Sequence, residues 1–254
     1  MITVTLLEKM YANLSSRTTE SYIQSLCKGL NVAVKVAAST ERRWIRVNVS
    51  GEDEIAASSL LKEEFSLAPV NVKNIKKDTV YGGKIVFSGK SNLEIFVDIG
   101  VFLPEPMDAA VPLQHIQAQL VDGRKMPLRR VIQLFCFLDN LPTEVLVKRI
   151  DDQQKRFVAE FSEKQIAIIS CWICSNLERL IVLGTFQENV EKAIKTSGHF
   201  RDVVAVERLG MLEHAVICKL GTNAVGLIPK IGRLLPDAVL GIFSPKKILR
   251  FVKI

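Results

Sequence analysis

At 254 residues, with 48% hydrophobic and 24% charged side chains, the chain is long enough to bury substantial cores and too apolar to be disordered. Its most apolar run, residues 166–174, is about half a membrane span, no basic segment precedes an apolar one at the start, and five irregularly spaced cysteines make no secreted disulfide framework, so a cytoplasmic protein without membrane contact is expected. The net charge of +7 is concentrated late in the chain, where residues 219–254 carry seven lysines and arginines against Asp237 alone, and this suggests a polyanionic partner.

Residues 2–7 alternate as a strand does, and "SSRTTE" supplies hydroxyl caps for a helix over 16–30. Residues 31–39 and 42–51 read as a hairpin pair, and 51–66 as a second helix with acids in its first turn. The order β-α-β-β-α begins a ferredoxin-like unit, expected over residues 1–78. In "GGKIVFSGKSNLEIFVDIGVFLPEPMDAAVPL", residues 82–113, two short strands lead to Gly100, where the chain can turn sharply, and then to a proline-marked loop. Leu93, Ile95, Val97 and Ile99 share one face of the second strand; Glu94, Phe96 and Asp98 share the other. A helix around "LRRVIQLFCFL" and a strand–turn–strand in "TEVLVKRIDDQQKRFVAEFS" complete four to five strands with one inserted helix, the pattern of an OB barrel over residues 79–161.

The remainder, 162–254, opens with a capping box at Ser162 and Gln165, followed by Ile166, Ile169 and Ile173 at helical spacing. Cys171 and Cys174 of "CWIC" therefore fall on a helix and are expected to pack as buried residues; they lack the second cysteine pair and nearby histidine of a zinc site. Cys27, Cys136 and Cys218 sit among apolar residues as small hydrophobes. The segments "RLIVLGT", "FQENVEKAIKTSG", "VVAVERLGML", "EHAVICKLG", "NAVGLIPKIGRLL" and "DAVLGIFS" then give β-α-β-β-α-β, a second and more complete ferredoxin-like unit. The expected fold is thus α+β, a central OB barrel flanked by two ferredoxin-like domains.

No nucleophile elbow, zinc-protease motif or phosphate loop occurs, and His115, His199 and His214 follow no ligand spacing. No enzyme, metal or cofactor is expected. The loop-helix "GLIPKIG" resembles the clamp of KH domains in outline, but Pro229 stands where the first glycine is needed, which leaves Lys230 and Arg233 as solvated helix residues. "DGRKMPLRR" places Arg124, Lys125, Arg129 and Arg130 beside the barrel, either to steer a phosphate backbone or as plain surface charge ahead of a helix.

The segments "GGKIV", "LEIFVDIG", "AAVPL" and "TEVLVKRIDDQQKRFVAEFS" resemble the RNA-binding OB domain repeated in the largest bacterial small-subunit ribosomal protein and found in polynucleotide phosphorylase and exosome subunits. The resemblance covers about a third of the chain. It implies a stacking role for Phe96 and polar contacts from Asp151 and Arg156 around the last hairpin, although Leu93 replaces a usual second aromatic and Pro112 a frequent histidine. "VDIG", "RLGMLEHAVICKLGT" and "GLIPKIG" also resemble segments of an archaeal family of uncharacterised function, a likeness that implies no activity. The expected function is non-catalytic RNA binding on a ribosome or other ribonucleoprotein. Phe96 would stack a base, Arg156 and the 124–130 cations would hold phosphates, and Lys230, Arg233, Lys246, Lys247 and Arg250 would form a second contact. Two alternatives are a regulator that senses a small molecule through its ferredoxin-like domains and an architectural subunit whose partners are proteins.

Overall fold

A computed structural model describes residues 1–12, 14–37, 42–86, 91–151 and 153–252, which divide into two compact units, Met1–Asn74 with Ile99–Pro106 and Ile75–Asp98 with Met107–Ile254. In the first unit, β1 (Ile2–Lys9), β2 (Val32–Ala37) and β3 (Trp44–Gly51) form an antiparallel sheet in the order β1-β3-β2. Helix α1 (Ser16–Leu26) starts where the Ser15 hydroxyl accepts the Thr18 N–H at 3.2 Å, and α2 (Glu54–Phe65) follows β3. Trp44, Val47 and Val49 are wholly buried, as are Ile23 of α1 and Leu61 of α2. The short β4 (Val70–Asn71) pairs in parallel with the far end of β6 (Glu94–Leu103), at Val101 and Leu103. Gly100 bends β6 at a φ of +80°, and a Cβ there would lie 2.7 Å from the Ala68 methyl, so only glycine fits.

In the second unit, β5 (Thr79–Val86), β6, β7 (Met107–Pro112), β8 (Pro142–Asp151) and β9 (Arg156–Phe161) join in the order β6-β5-β8-β9-β7, and β7 pairs with β6 to close a five-stranded barrel. Ile85, Ile95, Val97, Val145, Val147, Phe157 and Phe161 fill it, and a Cβ on Gly83 would come within 2.7 Å of the Val97 side chain. The turn at residues 87–90 lies outside the described residues. The expected proline-marked loop is corrected: it holds the third barrel strand, β7, and runs directly into α3 (Leu113–Leu120). "MDAAVP" hid this strand because alanine has little strand preference and prolines bracket it. Helix α4 (Leu128–Phe135) completes the connection to β8.

Helix α5 (Glu163–Cys174) starts as expected, with the Gln165 N–H donated to the Ser162 hydroxyl at 3.0 Å. It leads into β10 (Arg179–Leu183), α6 (Gln187–Thr196), β11 (Val203–Arg208), β12 (Glu213–Cys218), α7 (Ile228–Leu234) and β13 (Val239–Phe243). The antiparallel order β11-β12-β10-β13 separates the two strands joined by α6, as a split β-α-β unit does. Leu180, Val182 and Val216 pack with α6 and α7 through Val190, Ile194 and Ile231. Strand alternation turns Ile181, Ala215, Gly241 and Phe243 to the opposite face. There Phe243 makes a T-shaped contact with Trp172 of α5, ring centres 5.2 Å apart, and a Cβ on Gly241 would strike Cys136 and Leu138 beyond α4 at 2.6 Å. The same barrel-side surface holds a buried ion pair, Lys84 Nζ of β5 to Glu213 Oε2 of β12 at 2.6 Å. A last helix, α8 (Pro245–Val252), packs on α4 and α5 through Ile248 and Val252. Among the described residues no helix is long and apolar enough to cross a membrane.

Candidate nucleic-acid interface

Two cationic segments about 120 residues apart in sequence meet at α4 and α8. Arg124 Nη1 donates to the Phe251 carbonyl in the last turn of α8 at 2.7 Å, and the Arg130 guanidinium, in the first turn of α4, lies 4.3 Å from the Phe251 ring centre. The start of α4 thus sits at the end of α8, and Lys246 and Lys247 mark the other end of a helix roughly 12 Å long. Arg124, Lys125, Arg129, Arg130, Lys246, Lys247 and Arg250 are all exposed, and among the described residues none has a carboxylate within ion-pair distance. Arg129, Arg130, Lys246 and Lys247 occupy first turns with no acidic residue, where the helix dipole disfavours cations by about 0.3–1 kcal/mol each. Arg130 is held against the Phe251 ring, but local stability does not explain the charges at Arg129, Lys246 and Lys247. Their common property is a positive surface.

The barrel face expected to bind is arranged differently. Phe96 does stand on the outer face of β6, cross-strand from Val86, but it is half-buried. On one side Glu94 of the same face is ion-paired with Arg156, which takes up the cation expected to hold a phosphate. On the other side Asp98, expected on the same face as Phe96, is 1% accessible and lies cross-strand from the buried Lys84. Alternation placed Asp98 correctly; the C-terminal sheet, which sends Glu213 to Lys84, covers that end of the face. Asp151 accepts the Gln154 N–H at 3.1 Å and shapes the last hairpin. Lys148 pairs with Glu160 at 3.0 Å, and His115 lies 3.4 Å from the same carboxylate.

Lys230 and Arg233 are exposed on α7, which packs on the sheet face opposite to α5. They therefore stand apart from Lys246, Lys247 and Arg250, and the five expected to act together form two groups. "CWIC" is also corrected. Cys171 and Cys174 are on α5 as expected, but both are exposed, because α5 buries Ile169 and Ile173 and the cysteines fall off that stripe. Replacing both by serine should change unfolding free energy by no more than about 0.5 kcal/mol in chemical denaturation; a loss above 2 kcal/mol would restore the buried reading. The other three cysteines are buried, and burial pushes the Cys136 thiol up to about 12 and the Cys218 thiol to about 11. His214 is buried with Nε2 3.0 Å from the Thr185 carbonyl, and burial lowers its pKa. Among the described residues no three histidine, cysteine or acidic side chains gather to hold a metal ion.

Sequence reasoning missed α8 and with it Phe251. The available signal was Ser244-Pro245 ahead of Ile248 and Val252, a helix start with an apolar pair one turn apart.

These features define a class of α+β protein in which a closed barrel is preceded and followed in the chain by antiparallel sheets, with a cationic helix pair on the barrel unit. The chain belongs to the DUF2110 family: its residues 3–69 match the DUF2110 N-terminal domain, 75–173 the DUF2110 central domain and 177–243 the DUF2110 C-terminal domain. Comparison with curated proteins returns no match.

Proposed function

We propose that this protein binds RNA without catalysis, through the cationic surface of α4 and α8, as part of a ribonucleoprotein. The observation that carries the reading is the meeting of seven exposed, acid-free cations from two distant segments. The barrel supports it as an OB fold, since numbering its strands 1 to 5 along the chain gives the ring 1-2-3-5-4 with helices between the third and fourth. The two sheets before and after it in the chain fit ferredoxin-like units, the first with only a single antiparallel bridge, Leu6 to Leu67, in place of a fourth strand beside β1 among the described residues.

Lysine and arginine contacts to a single strand release counterions, so each contributes roughly 0.7 to the slope of log affinity against log salt. Replacing Arg129, Lys246, Lys247 and Arg250 by alanine should weaken binding of bulk RNA and flatten that slope by about 3, measured by filter binding over a salt series. Replacing Lys230 and Arg233, on the opposite side of the sheet, should leave the slope within about 0.5 of wild type. Unchanged affinity and slope in the fourfold variant would reject this surface. Salt-independent or absent RNA binding by the wild type would favour a small-molecule sensor or an architectural subunit.

A further inference from the structure

We infer that the RNA recognised at α4 and α8 is single-stranded, with an unpaired base stacked on Phe251; this rests on the RNA-binding reading above. Phe251 is 44% exposed although it sits on a helix that already buries Ile248 and Val252. Its position is fixed twice, by Arg124 Nη1 on its carbonyl and by the Arg130 guanidinium over its ring. Both arginines belong to the seven-cation cluster, and Arg130 takes one face of the ring, so the other face is the one offered to a base among charges suited to phosphates. Phe200, the other exposed phenylalanine among the described residues, lies ahead of the edge strand β11 with the His199–Asp202 pair, outside this cluster.

Cations alone attract any RNA, duplex or not. An exposed ring adds selectivity, because a base inside a duplex already has both faces stacked on its neighbours, whereas a single strand can offer one to the protein. Stacking of a base on an aromatic side chain is sequence-tolerant, so no particular base is required. Phe96, by contrast, is half-buried between the Glu94–Arg156 pair and the Lys84–Glu213 pair, both ion pairs already satisfied within the protein.

The test uses the full chain titrated with a short labelled oligouridylate and with a short blunt RNA duplex. Phe251→Ala should weaken oligouridylate binding by about 5- to 150-fold, the loss of one stack, and leave duplex binding unchanged. Phe251→Leu keeps apolar bulk but has no aromatic face and should show the same loss, which guards against an unfolded alanine variant. Lys246→Ala with Lys247→Ala should weaken both RNAs. Wild-type affinity for oligouridylate in both Phe251 variants, with the lysine variant impaired, overturns the stacking inference and leaves the RNA-binding reading standing. Equal sensitivity of duplex and single strand to Phe251→Leu also overturns it. Failure of the wild type to bind either RNA at low salt overturns the RNA-binding reading itself.

Discussion

Lys84→Met should destabilise the protein by about 3–5 kcal/mol, because it removes the cation that neutralises a carboxylate with no access to water. Lys84 is 2% exposed and Glu213 is fully buried, with 2.6 Å between Nζ and Oε2. Asp98, almost as buried, lies directly across the β5–β6 ladder from Lys84, where cross-strand Cβ atoms are about 5 Å apart. The lysine therefore stands among two acids, and removing it leaves like charges together in a region of low polarisability. Adding Glu213→Gln to the Lys84→Met background should recover a substantial part of the loss, since a buried amide is far less costly than a buried carboxylate. Chemical denaturation of the two single variants and the double variant gives the coupling directly. Strictly additive losses would show that the pair is not coupled, and a single-variant loss below 1 kcal/mol would mean the site is wet.

Arg179→Ala should cost about 3–4 kcal/mol, through the end of α5. The guanidinium Nη1 donates to the Trp172 carbonyl at 3.3 Å, the Ser175 hydroxyl at 3.0 Å and the Leu177 carbonyl at 3.0 Å. It also lies 4.9 Å from the Trp172 ring centre, while the Glu207 carboxylate approaches Nε at 4.0 Å. Burial pulls the Arg179 pKa down, so the group gains its place only through these partners. Losing it removes the hydrogen bonds to the Trp172 and Leu177 carbonyls at and just past the end of α5 and releases Trp172, which meets Phe243 in a T-shaped contact. Arg179→Lys should recover only part of the loss, because an ammonium has three donors but lacks the planar guanidinium that reaches these acceptors and the Trp172 ring together. For a chain of this size the alanine variant should melt roughly 6–16 °C below wild type. A shift below about 2 °C in both variants would show that α5 is held by Trp172 and Ile173 without the arginine.

Alternation and capping made most elements legible. The inward set Ile95 and Val97 and the outward set Glu94, Phe96 and Asp98 follow from a period of two, and Ser162 announced α5. What alternation cannot show is which part of an outer face another sheet covers, and that decided the fate of Asp98. The exposure of Cys171 was legible in principle, since it is two residues from Ile169 and so about 200° around the helix from the buried stripe. The interface at α4 and α8 was not. No local pattern records that Arg130 will meet Phe251, because their contact is made by tertiary packing across 120 residues.

The second unit also bears on how such a chain can be divided in evolution. The central and C-terminal family segments part at residues 173–177, yet Trp172 lies before that point and its partners Arg179 and Phe243 after it, as do Lys84 and Glu213. A gene broken there would keep Lys84 beside Asp98 in the barrel but would separate the lysine from Glu213, leaving the sheet's buried carboxylate without its cation. The sheet could be recombined with a foreign neighbour only if that neighbour brought a cation to the same place. The boundary that separates the two in sequence is therefore one across which they are expected to be inherited together.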